Sequence, residues 1–346
     1  MVKIINMMAN IFVLVFCFLS FTCNSPIGPG ASAHPGRRDY VWTLDTIYSP
    51  NNLFSTIYGA APNDVWLGGH GGPPHERLWH YDGVKWTQAQ SPSNYDVESL
   101  FGFSATDIWL GSDDGKIFHY DGSTWVQNFV YRPLNSDPDI TCIYGVSPTD
   151  LYAIGSSFFS QDTLARGFIL HNNGNGWKEE YLAPQGLQFN DLLQEESKVF
   201  LFAAVDKLLF FQYSNNLLAQ LYSANRGDVG GGNMISMGGK VYFLVGNRLD
   251  RYEDKNFVTV ATFNINTSNF GYQLYGRNEK DVFLIMDDGI EHYNGTDIQY
   301  LYHLPTTSPY IFARSLIFEN DVFFVLDYTD TGDFSKLLIL HGKLTK

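Results

Sequence analysis

Short apolar runs alternate with polar turn residues along almost the whole chain, and they recur with one period. A β-branched or aliphatic residue followed by an aromatic one appears at Val65-Trp66, Ile108-Trp109, Leu151-Tyr152, Val199-Phe200, Val241-Tyr242, Val282-Phe283 and Val322-Phe323. The steps between copies are 43, 43, 48, 42, 41 and 40 residues. That length suits four short strands per unit, the period of a propeller blade. In the first unit the alternation predicts strands over residues 53–59, 64–69, 77–82 and 86–90. Asp82-Gly83 and Asp121-Gly122 supply tight hairpins between the third and fourth strands, because glycine accepts a positive φ. On the third strand Leu78, Ile117, Ile169, Phe210, Leu249, Ile290 and Ile339 form one apolar column, which is expected to pack blade on blade.

The two ends complete each other. The first three units finish on a tryptophan strand (Trp86, Trp125, Trp177), whereas the last stops at Lys346 without one. A matching strand stands at the front, where Trp42-Thr43 and Ser49-Pro50 mirror Trp86-Thr87 and Ser91-Pro92. Trp42 is therefore expected to close the last blade and remove an exposed sheet edge. The predicted fold is all-β: a seven-bladed propeller of four-stranded antiparallel blades over residues 40–346, closed by an N-terminal strand.

Loop length is uneven. Turns between first and second strands (A–B) and between third and fourth (C–D) are short throughout. The connections B–C and D–A vary, with long ones at 70–76, 156–166 and 327–336, and at 131–139 and 223–233. In an antiparallel blade these two kinds of loop emerge on one face, and a rigid scaffold with variable loops commonly carries function there. The candidate ligand-binding residues are Arg132, Phe158, Phe159, His70, Arg226, Tyr328 and Phe334, with Tyr131 beside them. Arg132, Phe158 and Phe159 lead, since an arginine grips a carboxylate or stacks on a ring, and exposed phenylalanines are unfavourable in water unless covered.

Composition narrows the partners. A net charge of −14, becoming −15 when Lys3 is lost with residues 1–22, repels phosphate backbones and argues against nucleic acid. The three cysteines, Cys17, Cys23 and Cys142, offer no disulfide framework, so stability must come from packing; Cys142 sits in an inner strand as a small buried thiol.

Residues 1–22 read as an export signal, with Lys3 ahead of an apolar stretch over 11–21 that is short for a membrane span. Leu19-Ser20-Phe21-Thr22-Cys23 resembles a bacterial lipobox, which implies lipidation of Cys23, although Ser20 and Phe21 replace the usual leucine and small residue. Cleavage after Ala31-Ser32-Ala33 is the alternative. Residues 23–39, rich in Pro, Gly, Ser and Ala, read as a flexible tether. The expected location is the outer membrane or cell surface through a lipid anchor alone, or otherwise the periplasm or the medium.

The repeats resemble those of a bacterial exported propeller family with units G-x-S-P-x-D-[VIL]-[WY] … H-Y-D-G-x-x-W. Gly145-Val146-Ser147-Pro148-Thr149-Asp150-Leu151-Tyr152 carries the first half and His119-Tyr120-Asp121-Gly122-Ser123-Thr124-Trp125 the second. The resemblance covers residues 40–346 and is weaker beyond 187. It implies the fold and export; the family has no single activity, so no functional residue carries over. The sialidase-type Asp box and the WD-type Gly-His and Trp-Asp pattern are not met.

Candidate chemistry is sparse. His80, His119, His171, His292 and His341 share one column, but one residue per blade on an outer strand does not converge on one ion. His70 and His75 lie in one loop with Glu76 and lack a third ligand of firm spacing. Asp327 with Asp330-Thr331-Gly332-Asp333 is read as an acidic turn rather than a calcium loop. No catalytic residue, metal or cofactor is assigned. The expected function is a monomeric, non-enzymatic binding or scaffold module for a glycan or protein partner. The alternative is an extracellular carbohydrate-active hydrolase or lyase with its site at the channel mouth. A pair of carboxylates, or Arg with Tyr, at that mouth favours the alternative.

Overall fold

The computed structural model describes residues 34–49, 52–92, 94, 96–204, 206–304, 310–328 and 336–345, with the side chains of 310, 311, 313 and 328 left aside. Its strands form seven separate four-stranded antiparallel sheets. Six sheets run A-B-C-D in chain order; the first, for example, joins Asn52–Ala61, Asp64–Gly71, Leu78–Tyr81 and Trp86–Gln88. In the seventh, Tyr40–Tyr48 takes the D position beside Lys336–Leu344, and Trp42 lies opposite Gly342. The chain is a seven-bladed β-propeller.

The period in the sequence is the period of the core. Every aliphatic residue of the recurring pair, from Val65 to Val322, is at most 1% exposed. The third-strand column from Leu78 to Ile339 is buried to the same degree. Apolar clusters span neighbouring blades: Phe101, Trp109 and Ile117 of blade two pack with Ile143, Leu151 and Phe168 of blade three. Hydrophobic burial between blades is the main cohesive term in a ring whose sheets share no hydrogen-bonded edges. Trp42 joins this scheme at the seam, with Tyr302 at 5.6 Å between ring centroids and Phe324 at 6.3 Å.

The turns follow from their residues. Gly83 and Gly122 have φ of +90° and +93°, and a Cβ there would strike Asn63 and Thr106 of the adjoining A–B turn. The aspartate before each glycine accepts two amides of its own turn, Asp82 from Val84 and Lys85 and Asp121 from Ser123 and Thr124. Such a turn is short because one side chain closes it.

The other face departs from its predicted loops in two places. Loop length places 156–166 in one long connection, but strand A of blade three (Ser136–Ser147) and strand B (Asp150–Phe159) stay paired past the rim, with Ser136 opposite Phe159 and Asp137 opposite Phe158. Phe158 and Phe159 therefore sit on a strand end, not in a loop. Within 223–233 a single helical turn forms at Arg226–Val229. Both are local backbone pairings that hydrophobic periodicity does not register, because they rest on main-chain bonds and not on one repeated buried face.

Candidate functional site

The repeated histidines have a structural task. Each pairs through Nε2 with the aspartate that opens strand B of its own blade: His80 with Asp64, His119 with Asp107, His171 with Asp150, His292 with Asp281 and His341 with Asp321, at 2.6–2.9 Å. Each imidazole also lies against the aromatic of the recurring pair, as His341 on Phe323 at 4.0 Å and His80 on Trp66 at 4.5 Å. The two blades without the histidine lack the aspartate too: Lys198 accompanies Gln212 and Lys240 accompanies Arg251. The sequence thus carries the pairing, as two columns that change together.

The innermost strands line a channel of about 430 Å³, to which all seven blades contribute. Thr56, Ser99, Cys142, Asp191 and Arg314 occupy one register, each opposite the residue two beyond the strand B aromatic. This polar ring stitches blade to blade. Thr56 Oγ1 accepts the Leu100 amide of the next blade at 2.8 Å, and Ser99 Oγ accepts that of Ile143 at 2.9 Å. A thiol accepts poorly; behind Cys142 the Leu192 amide turns to Asp191 Oδ1 instead, at 2.8 Å. Arg314 Nε closes the circle on the Ser55 carbonyl at 2.7 Å. Burial pushes the Cys142 thiol up, which disfavours the thiolate. Two carboxylates, Glu98 and Asp191, line the channel, and Arg314 lies beside Tyr275, the residue types expected of a reactive site there.

His70 does not group with His75 and Glu76. It stands near the end of strand B of blade one, and its ring nitrogen, an Asp96 oxygen and a Glu98 oxygen from blade two lie within 4.8 Å of one another. His75 instead lies 3.7 Å from Glu76. Asp96 is held by the Gly71 amide and by Arg77. Burial, then the charges of Asp139, Asp96 and Asp113, push Glu98 up to about 7. Burial likewise pushes Asp327 up to about 6, although it accepts the Phe54 amide and feels His70.

The leading candidates do converge. Arg132, Phe158 and Phe159 line one shallow concavity of about 550 Å³ with Leu134 and Ser160. Leu134 is 85% and Phe158 59% exposed. Phe159 is half-covered beneath the Arg166 guanidinium, which is paired with Asp162. Arg132 makes one long bond, 3.3 Å, to the Asp114 carbonyl. Tyr131, expected on this face, is instead buried against Phe168 with its hydroxyl bound to Glu179, because its apolar ring completes the core between blades two and three. Arg226 is exposed on the helical turn, apart from this group. The Tyr328 side chain, Phe334, the 330–333 turn and Cys23 fall outside the described residues.

No family model matches the chain, and no curated protein does. Solved structures match in fold. The structure of YCF48 bound to D1 peptide superposes with a TM-score of 0.59 at 16% identity, covering 90% of this chain and 100% of that one. YCF48 from Cyanidioschyzon merolae gives 0.57 at 12%, covering 86% and 98%. An oligogalacturonate lyase in complex with manganese gives 0.61 at 9%, covering 90% and 99%. At these identities the likeness is one of architecture: the same ring serves a peptide binder and a lyase, so function must be argued from the residues.

Proposed function

We propose that this chain is a binding propeller that seats a protein partner on the extended hairpin of blade three. The observation that supports it is an apolar concavity, bearing Leu134 and Phe158, placed beside an exposed arginine on a two-stranded support. Leu134 and Phe158 stand together around one concavity rather than singly, and grouped apolar exposure marks an interaction site. The partner that fits is a peptide segment with an apolar side chain next to a carboxylate, which Arg132 would grip. A peptide-bound propeller of similar fold is a precedent for such a use. The chain would be exported and monomeric, tethered through lipid on Cys23 or released by cleavage after Ala33.

The test begins with peptide display against the purified domain, followed by affinities for the enriched peptides. Phe158→Ser and Arg132→Ala should each weaken binding at least about tenfold with little change in melting temperature. Enrichment of no peptide, or binding lost on substituting Lys85 or Ser123 of the opposite face, overturns the assignment; a glycan array run in parallel identifies a sugar ligand instead. The second reading, an extracellular carbohydrate-active hydrolase or lyase, is supported by the carboxylates and the Arg–Tyr pair of the channel. It is the weaker one, because Arg314 and Asp191 already bond backbone groups.

A further inference from the structure

We infer that His70, Asp96 and Glu98 form a binding site for one divalent transition-metal ion at the mouth of the channel. The inference is independent of the peptide-binding hairpin. The donor set is one imidazole and two carboxylates, a combination suited to manganese, iron or zinc. Their ligand atoms lie within 4.8 Å of one another. Metal–ligand bonds of about 2.0–2.2 Å put neighbouring donors roughly 3–4 Å apart, so the three need only a small side-chain contraction.

Three further features separate this cluster from an ordinary acidic surface. First, its members come from two blades, and each stands on or beside the sheet. His70 pairs with Leu53, Glu98 lies within strand A of blade two (Val97–Ser104), and the Asp96 amide is bound to Asp113 at 2.8 Å. Secondly, Asp96 is oriented through Oδ1 by Gly71 and Arg77, the kind of outer support that ligating carboxylates commonly have. Thirdly, Glu98 is half-buried, yet takes part in no hydrogen bond among the described residues. Asp139 and Asp113 add negative charge around it, offset in part by Arg314, and Arg77 is already engaged by Asp96. A half-buried carboxylate with no protein donor among the described residues, beside an imidazole and a second carboxylate, is open to a cation. A divalent cation satisfies all three groups at once. Glu98 also borders the channel, which gives an ion and its remaining ligands a path from solvent.

The experiment uses the purified chain stripped with chelator, then titrated with Mn²⁺ and Zn²⁺ by calorimetry and by thermal melting. One ion per chain should bind saturably and raise the melting temperature. Glu98→Gln and His70→Ala should each weaken binding at least about tenfold, while His75→Ala leaves it unchanged. The metal-free melting curve of each variant reports whether it is folded. Should Glu98→Gln prove unfolded, Asp96→Asn takes its place with the same expectation. Absence of saturable binding in the unsubstituted chain overturns the site. So does binding that survives in folded Glu98→Gln and His70→Ala.

Discussion

The two faces of the disc treat the same kinds of residue differently. On the turn face, carboxylates meet partners: five histidines sit on five aspartates, and Asp82 and Asp121 close their own turns. On the loop face, burial pushes Glu98 and Asp327 up, Glu98 with other acids beside it, and Leu134 and Phe158 stand in solvent. Repetition explains the first face, since a device that folds one blade folds them all. Nothing in the repeat explains the second, where blades one, two and three each depart in their own way. Exposed apolar residues occur on both faces, Val84 and Leu217 at the turns and Leu134 and Phe158 at the loops, but only the last two line one concavity together.

Opening the ring should cost the most. The N-terminal segment is fixed from the turn face: the Gly36 amide bonds the Lys280 carbonyl, and Arg38 bonds both the His292 carbonyl and Asp297. Beyond it, Tyr40–Tyr48 pairs along its whole length with the last strand and buries Ile47. A chain beginning at Pro50 loses this pairing and the Trp42 contacts, and exposes an edge. Denaturant unfolding should show a loss of at least about 5 kcal/mol, since one large aromatic alone is worth about 3–5. Unchanged stability would mean that blade seven holds without its outer strand.

A smaller effect separates one histidine from its equivalents. His292 is fully buried; its Nδ1 accepts from Arg38 Nε, so Nε2 carries the proton given to Asp281. Asp281 also holds Arg277, whose Nε reaches the Phe318 carbonyl of blade seven. Burial acts to raise Asp281, but the His292 bond and the Arg277 charge outweigh it and hold it below its ordinary value. Asp281→Ala leaves a buried guanidinium without its partner and should cost about 3–5 kcal/mol. Asp64→Ala removes one partly exposed bond to His80 and should cost about 1 kcal/mol. Equal losses in urea titrations of the two variants would show that the five pairs are equivalent and that the seam has no special weight.

Much of this is legible in the residues, and the part that is not has a physical reason. Blade number, the buried columns and the closing position of Trp42 follow from periods of two and of about forty-three, which survive in sequence because each unit buries the same face. The aspartate–histidine pairs are legible as well: positions 198 and 240 lose the aspartate where 212 and 251 lose the histidine. The His70–Asp96–Glu98 group is not. Asp96 and Glu98 follow His70 by 26 and 28 residues and belong to a different blade, and only the curvature of the ring brings the end of one strand B to the start of the next strand A. Loop length places Phe158 in a loop, whereas it lies on a paired strand end, because backbone pairing beyond the rim leaves no mark in the hydrophobic period.

The mildest test uses pH, and the two faces should answer with opposite signs. Burial holds His292 below its ordinary 6.5, against the pull of Asp281. As pH falls below 6.5 the unfolded chain binds a proton that the folded chain refuses, so this contribution is complete above 6.5 and is lost on the acid side. Glu98 behaves the other way. Its folded value, up to about 7 from 4.5, means that the folded chain keeps a proton the unfolded chain has released, so stability declines as pH rises from 4.5 through 7. A tenfold change in proton affinity corresponds to about 1.4 kcal/mol, and with partial exposure discounted the Glu98 effect should amount to about 1–2 kcal/mol. In chelator, Glu98→Gln should therefore gain stability over the unsubstituted chain at pH 8 and not at pH 5, whereas His292→Gln should flatten the acid side of the curve whatever it costs overall. Melting temperatures of the three proteins between pH 5 and 8 decide it. If Glu98→Gln tracks the unsubstituted chain across that range, Glu98 carries no unusual burden, and the contrast between a satisfied face and a strained one fails where it was drawn most sharply.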